Sequence, residues 1–206
     1  DLAQEPGREV FTRLARSADI LVENFRPGVM ERLGLDYPRL SAENPRLIYA
    51  ALSGFGQTGP YSSMAAVDAV AQAMGGTMSL NGQKGGPPMR VGVSMGDMVA
   101  GLYLALGIVA ALRARDVTGE GQMLDVALME AQMALCENAI VRHSAFDEHP
   151  TRQGSRHALL ARERDAGVPE YVSEPPDDAT PALAYALAHE GQDSDDTVLA
   201  TLLDLI

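Results

Sequence analysis

The stretch Arg46-Leu-Ile-Tyr-Ala-Ala-Leu52, followed at once by Ser53-Gly-Phe-Gly-Gln-Thr-Gly-Pro60, decides the fold class. Past its opening arginine the first half is apolar almost throughout, with no polar residue at alternate positions. A strand of that kind is covered on both faces, as in a parallel sheet flanked by helices. The glycine-punctuated half then sits at the strand's carboxyl end, where open α/β sheets line their ligand crevice.

Upstream, Val10, Phe11, Leu14 and Ala15 follow helical spacing, and Asp19-Ile-Leu-Val22 reads as a short buried strand. Asn24-Phe25-Arg26-Pro27-Gly28 is a turn, with Pro27 suited to open a helix whose inner face is Val29, Met30 and Leu33 and whose stop is Gly34. Tyr37 to Glu43 predicts a second short helix. Downstream, Asp68 to Met74 is a helix stopped by Gly75-Gly76, and Leu80 to Pro88 a flexible Gly/Pro loop. Met89 to Val93 is a short strand or an extended lead-in to a long helix from Ser94 to about Arg115. Met123-Leu124-Asp125-Val126 is a third strand, and Glu130 to His143 one helix with Met133, Cys136, Ala139 and Ile140 inward. Strand and helix alternate with short connections, so an α/β layered fold is expected.

The 206 residues suffice for one substantial domain, and 46% hydrophobic with 21% charged residues is ordinary for a globular chain. The net charge of −12 argues against a nucleic-acid partner. It is concentrated at the end: residues 161–206 hold 11 Asp+Glu and 2 Arg, the preceding 160 hold 17 acids and 14 bases. With four prolines in that acidic background, residues 161–206 are expected to be a loosely ordered tail, helical only over Ala182–His189 and Val198–Ile206, and residues 1–160 the main domain. The single cysteine, Cys136, excludes an internal disulfide framework and fits a cytoplasmic location. No signal-peptide pattern opens the sequence, and the apolar run Met98 to Leu112, broken by Gly101 and Gly107, falls short of a membrane span. A buried core helix is expected there, with no membrane partner.

Asp97 lies at the mouth of that run. Ser94-x-x-Asp97 matches the capping box, in which the serine oxygen takes a first-turn N–H and the acid reaches back. Small residues at Gly96 and Ala100 leave room beside the carboxylate for a substrate, so cap and nucleophile both stand. His143, His149 and His157 lack zinc-site spacing, and Gly82-x-x-Gly85-Gly86 lacks the Lys-Ser/Thr of a phosphate loop. No metal site is expected, and Cys136 reads as a core thiol.

Four segments, taken in order, resemble the class III CoA transferases, the formyl-CoA and carnitine CoA transferase family that also contains 2-methylacyl-CoA racemases. They are Ala18-Asp-Ile-Leu-Val-Glu-Asn-Phe-Arg-Pro-Gly28, Asn44-Pro-Arg-Leu-Ile-Tyr49 with Ser53 to Pro60, Gly96-Asp97 with Gly101, and Thr118-Gly-Glu-Gly-Gln122. The resemblance implies a Rossmann-like layered α/β fold with a mostly parallel sheet, incomplete here because family members are much longer. It implies that Asp97 is a covalent nucleophile exchanging acyl groups with CoA, with acyl-CoA and a carboxylic acid as substrates, no tightly bound cofactor, and an interlocked homodimer in the full-length protein. It implies that Asn24, Phe25 and Arg32 contact CoA, that Gly54, Phe55 and Gly56 shape the substrate pocket, and that Asp68 lies near the active site, a helix N-cap being the other reading of Asp68. In racemases of the family a histidine precedes the Asp68 position. Val67 stands there instead, which removes one partner of two-base proton exchange and favours the transferase over the racemase. A third possibility is a non-catalytic CoA-binding or oligomerising remnant. The resemblance fades near Leu160, which is the expectation for a truncated gene or a shifted reading frame.

Overall fold

Three parallel strands organise the chain: β1 (Ile20–Glu23), β2 (Ile48–Ser53) and β3 (Met123–Ala127), in the spatial order β1-β2-β3 among the described residues. The structure is a computed structural model that describes residues 1–154, of which Asp1–Arg152 form one compact unit. The tail expected over 161–206 lies outside the described residues.

β2 is the central strand, and its sequence shows it: Ile48, Ala50 and Ala51 have no exposed surface. Register pairs Glu23 with Ala51 and Ala51 with Asp125, so the two acids flank one small residue on the same sheet face. That face is covered by α1 (Glu5–Ala15), α2 (Val29–Leu33) and α3 (Tyr37–Glu43), with Leu21, Met30, Leu35, Leu40, Tyr49 and Ala51 in one cluster. α3 starts where its sequence says: Asp36 accepts the Arg39 N–H at 3.1 Å, Pro38 sits in the first turn and Leu40 turns inward.

The opposite face carries α4 (Asp68–Met74), α6 (Met95–Thr118) and α7 (Leu128–Leu135); Ala71, Ala100, Leu128 and Ala131 pack with Leu52 and Val126. α5 (Thr77–Leu80) follows α4, and α8 (Glu137–Phe146) ends the described helices. The segment after α5 is pinned at its neck, where Asn81 and Met89 exchange two hydrogen bonds of 3.1 and 3.0 Å. Residues 89–93 form no strand, which settles that segment as the lead-in to α6.

α6 has 24 residues, hence about 36 Å of length. Its far end is fixed by Arg115, whose buried guanidinium reaches the Asp19 carboxylate at 2.8 Å and the carbonyls of Asp19 and Arg46 at 3.3 and 3.0 Å. Those groups precede β1 and β2. α6 therefore runs antiparallel to the strands, and its first turn lies toward their carboxyl ends. By length and composition the helix could cross a membrane, but here it belongs to the crossover joining the parallel neighbours β2 and β3.

Two expectations are corrected. The helix foreseen from Glu130 to His143 is two, broken at Cys136 with φ −90° and ψ 13°. Gln132 and Cys136 turn inward, the Cys136 thiol lying 3.6 Å from the Gly75 carbonyl, whereas Met133 and Ile140 are 42% and 46% exposed. The run Met98 to Leu112 is buried on one side only: Ala100, Leu104 and Ala111 meet the sheet layer, while Met98, Leu102, Leu106 and Val109 are exposed.

Candidate active site

The start of α6 is not closed by its own serine. Ser94 holds the N-cap position with φ −74° and ψ 67°, but its hydroxyl finds no cap partner among the described residues, so the Ser94–Asp97 capping box does not form. The cap comes from another helix. Asp68, 8% exposed, accepts the Gly96 N–H through Oδ1 at 2.7 Å. Its Oδ2 accepts from Gln72 Nε2 at 2.9 Å and from the Arg90 guanidinium at 3.1 Å. Asp68 is thus the first residue of α4, whose N-cap position is Val67, and the acid caps α6 rather than its own helix.

Close approach makes this possible. A Cβ built on Gly96 would stand 3.0 Å from Asp68 Oδ1 and 3.4 Å from the Ala71 Cβ. Gly96 and Ala100 are both buried, so their small size serves helix packing and not, as the sequence suggested, the approach of a substrate.

Asp97, one residue on, is exposed in the first turn of α6. Its carboxyl is held above the ordinary aspartate value, first by partial desolvation and second by the neighbouring Asp68 charge. A carboxylate so placed is reachable and, at a helix start, has backbone N–H groups behind it that favour the anion.

The other expected residues gather at the carboxyl ends of the strands. Asn24 Nδ2 donates to the Leu52 carbonyl at 2.6 Å, joining the ends of β1 and β2. The Phe25 N–H donates to Glu23 Oε2 at 2.7 Å, and the ring is half exposed. Arg32 is exposed on α2, in the segment that follows. After β2, the Gly54 carbonyl accepts the Met129 N–H at 3.1 Å, and a Cβ on Gly54 would collide with that of Ala66. Phe55 is buried against Tyr61, with ring centroids 5.7 Å apart. Gly56 takes φ +82°, and the next N–H, that of Gln57, donates to Asp125 Oδ2 at 2.8 Å. Asn24, Phe25, Gly54, Phe55 and Gly56 therefore share one rim, on the side of the sheet to which the start of α6 is directed. Asp68 does not line an open surface; it lies beneath that helix start.

Spacing missed Gln72, Arg90, Glu23 and Asp125. The last two carried a signal, an acid on an otherwise apolar strand, Glu23 closing β1 and Asp125 in the middle of β3. Glu23 is buried and its carboxyl is raised above the usual glutamate value, mainly by desolvation, with the Phe25 N–H opposing and Asp125 adding. It borders a cavity of about 280 Å³ together with Arg26, Met30, Tyr37, Tyr49 and Gln57. A groove of about 520 Å³ between α1 and the segment around Gly34 is lined by Arg8, Arg13, Arg16 and Arg39 with Glu5 and Glu9, and by none of the expected site residues. Among the described residues no group of three or more His, Cys, Asp or Glu side chains could hold a metal ion.

Known proteins resemble this chain in sequence and in fold. Residues 1–165 match CoA-transferase family III. An acetyl-CoA:oxalate CoA-transferase of Acetobacter aceti is 46% identical over 162 residues, 78% of this chain and 42% of the relative. A formyl-CoA:oxalate CoA-transferase of Streptomyces coelicolor is 42% identical over 71% of this chain and 37% of its own. The crystal structure of a CAIB/BAIF family protein from Brucella suis superposes with a TM-score of 0.73 at 41% identity, covering 76% of this chain and 42% of that one. The chain thus spans about two fifths of the relatives it matches. Matched over residues 1–165 and built on the parallel α/β sheet, this chain belongs to CoA-transferase family III.

Proposed function

We propose that the protein to which this chain belongs moves CoA from an acyl-CoA to a carboxylic acid, with Asp97 as the nucleophile. The observation that carries this is the exposed Asp97 carboxylate in the first turn of α6, beside a buried acid and at the end of the sheet where the glycine rim lies. Relatives named as CoA-transferases acting with oxalate, mesaconate or glutarate support the reaction class, and point to short dicarboxylic acids as acceptors to try first.

The steps balance without a redox partner or metal. An Asp97 carboxylate oxygen attacks the thioester carbonyl, the C–S bond breaks, and CoA leaves as thiolate. The thiolate then attacks the aspartyl carbonyl of the mixed anhydride, releasing the donor's carboxylate and leaving an aspartyl-CoA thioester. The acceptor carboxylate repeats the exchange in reverse order, and Asp97 returns as the anion. Backbone N–H groups at a helix start oppose the charge that develops on the carbonyl oxygens. Asn24, Phe25 and Arg32 would hold CoA, and Gly54, Phe55 and Gly56 would let substrate approach the rim closely. Racemisation is disfavoured because Val67 offers no base. The exposed apolar side of α6 supports burial in a homodimer of the complete protein, and the lone Cys136 supports a cytoplasmic setting.

Trapping tests this. The complete protein, incubated with acetyl-, formyl- or succinyl-CoA and quenched with hydroxylamine, is expected to yield a hydroxamate at Asp97 in the peptide mass spectrum. An unmodified Asp97 peptide with CoA still bound would make the chain a CoA-binding remnant. Solvent deuterium entering the α-carbon of a 2-methylacyl-CoA would make it a racemase.

A further inference from the structure

The residues that hold Asp68 come from separate parts of the chain. Gln72 is one turn further along α4, and Arg90 lies in the lead-in to α6. Gln72 is fully buried and grips that lead-in a second time: its Oε1 accepts the Val91 N–H at 2.9 Å and its Nε2 donates to the Val93 carbonyl at 3.3 Å. Arg90 also reaches the Gly92 carbonyl at 3.3 Å. From Arg90 to Gly96 the lead-in is therefore fastened to α4 at successive points, and Asp97 is the next residue.

We propose that Arg90 and Gln72 are positioning residues for Asp97: through Asp68 and the fastened lead-in they set the place of the carboxylate, and Arg90 balances the Asp68 charge beside it. The proposal rests on Asp97 being the nucleophile. Among the described residues, α7 brings the apolar Leu128 and Ala131 to the cluster around Ala100 and the sheet brings Leu52 and Val126, while Glu130 on α7 is exposed. Asp68 from α4 is thus the charge that acts on Asp97, and Arg90 from the lead-in is the charge paired with Asp68 at 3.1 Å. Fastening acts on geometry and hence on kcat, because a small displacement of a reacting atom is costly to rate. Charge balance acts on ionisation. An unbalanced Asp68 anion raises the Asp97 carboxyl further, and a neutral residue at position 68 lowers it.

The two effects separate in the complete protein. Arg90→Gln should move the acid limb of the kcat/KM profile to higher pH, with about a tenfold loss on that limb that recovers as pH rises. Asp68→Asn, which keeps an oxygen for the Gly96 N–H, should move the same limb to lower pH. Arg90→Lys should restore the wild-type limb. Gln72→Met should lower kcat with KM for acyl-CoA held within about twofold and no movement of the limb. Thermal unfolding of each variant, run in parallel, identifies any loss that is only folding. Limbs of Arg90→Gln and Asp68→Asn that coincide, or move in the same direction, overturn the proposal, as does an unchanged kcat in Gln72→Met. Asp97→Asn in the same series separates the two readings: if it retains turnover the nucleophile assignment fails, whereas a dead Asp97→Asn with unmoved limbs sinks the positioning role alone.

Discussion

The carboxylate of Asp68 and the backbone N–H of Gly96, 28 residues apart in the chain, meet at 2.7 Å in a buried contact. That bond seats the start of α6 on the start of α4, and it replaces the local serine cap that the sequence advertises.

A pair of substitutions tests which residue caps the helix. Ser94→Ala should change stability by less than about 0.5 kcal/mol, where a working serine cap is worth about 1 kcal/mol. Asp68→Ala strips an acceptor from three donors and should cost about 2 kcal/mol or more. Urea unfolding of both variants gives the comparison, and a larger loss in Ser94→Ala would reverse the assignment.

The close approach at Gly96 makes its own prediction. Gly96→Ala places a methyl 3.0 Å from Asp68 Oδ1, so one helix must give. A loss of about 1–2 kcal/mol is expected despite alanine's better helix propensity. A variant more stable than wild type would show that the contact has slack.

At the other end of α6, Arg115 joins the helix to the starts of β1 and β2. Arg115→Met keeps most of the stem and removes the charged donors, and should cost about 2 kcal/mol in denaturant unfolding. Restoration by Lys should be incomplete, since an ammonium does not reproduce the fork that spans Asp19 and Arg46.

These contacts show what was legible in the sequence. Tyr37 to Glu43 matches α3 residue for residue, because Asp36, Pro38 and Leu40 carry cap, first turn and inner face within one short segment. β2 was legible because burial on both faces leaves a continuous apolar run. The break at Cys136 was not, since it depends on how α7 and the Gly75 region meet. Asp97 stood out by its place at the mouth of an apolar helix. Its supports, Gln72 and Arg90, did not, because bonds spanning 19 to 22 residues leave no spacing to read.

Glu23 predicts a pH dependence of stability. Its folded-state value is raised, so its contribution is fully present below the ordinary glutamate value and is lost as pH rises through the raised one. Glu23→Gln keeps an oxygen for the Phe25 N–H and removes the charge. The variant should match wild type near pH 4 and exceed it at pH 7.5 in urea unfolding; a deficit at pH 7.5 would mean that the ionised form is the one the fold prefers.

Leu102, Leu106 and Val109 line one side of α6 and are 64%, 67% and 64% exposed. The chain by itself should self-associate through them. Leu102→Gln with Leu106→Gln should shift sedimentation toward monomer while leaving the helical circular dichroism intact; an unchanged distribution would place the association elsewhere.

Where α4 and α6 touch beside Asp97, Gly96, Ala71 and Ala100 pack next to the Asp68 carboxylate, and none of these three has a rotamer to change. This spot consequently has little room to be retuned by swapping buried side chains, because any enlargement displaces main chain and the Asp97 carboxylate with it. Under the proposed reaction, a change of acyl group would fall to the glycine-rich turn after β2, where substitutions leave the footing of the Asp97 carboxylate untouched.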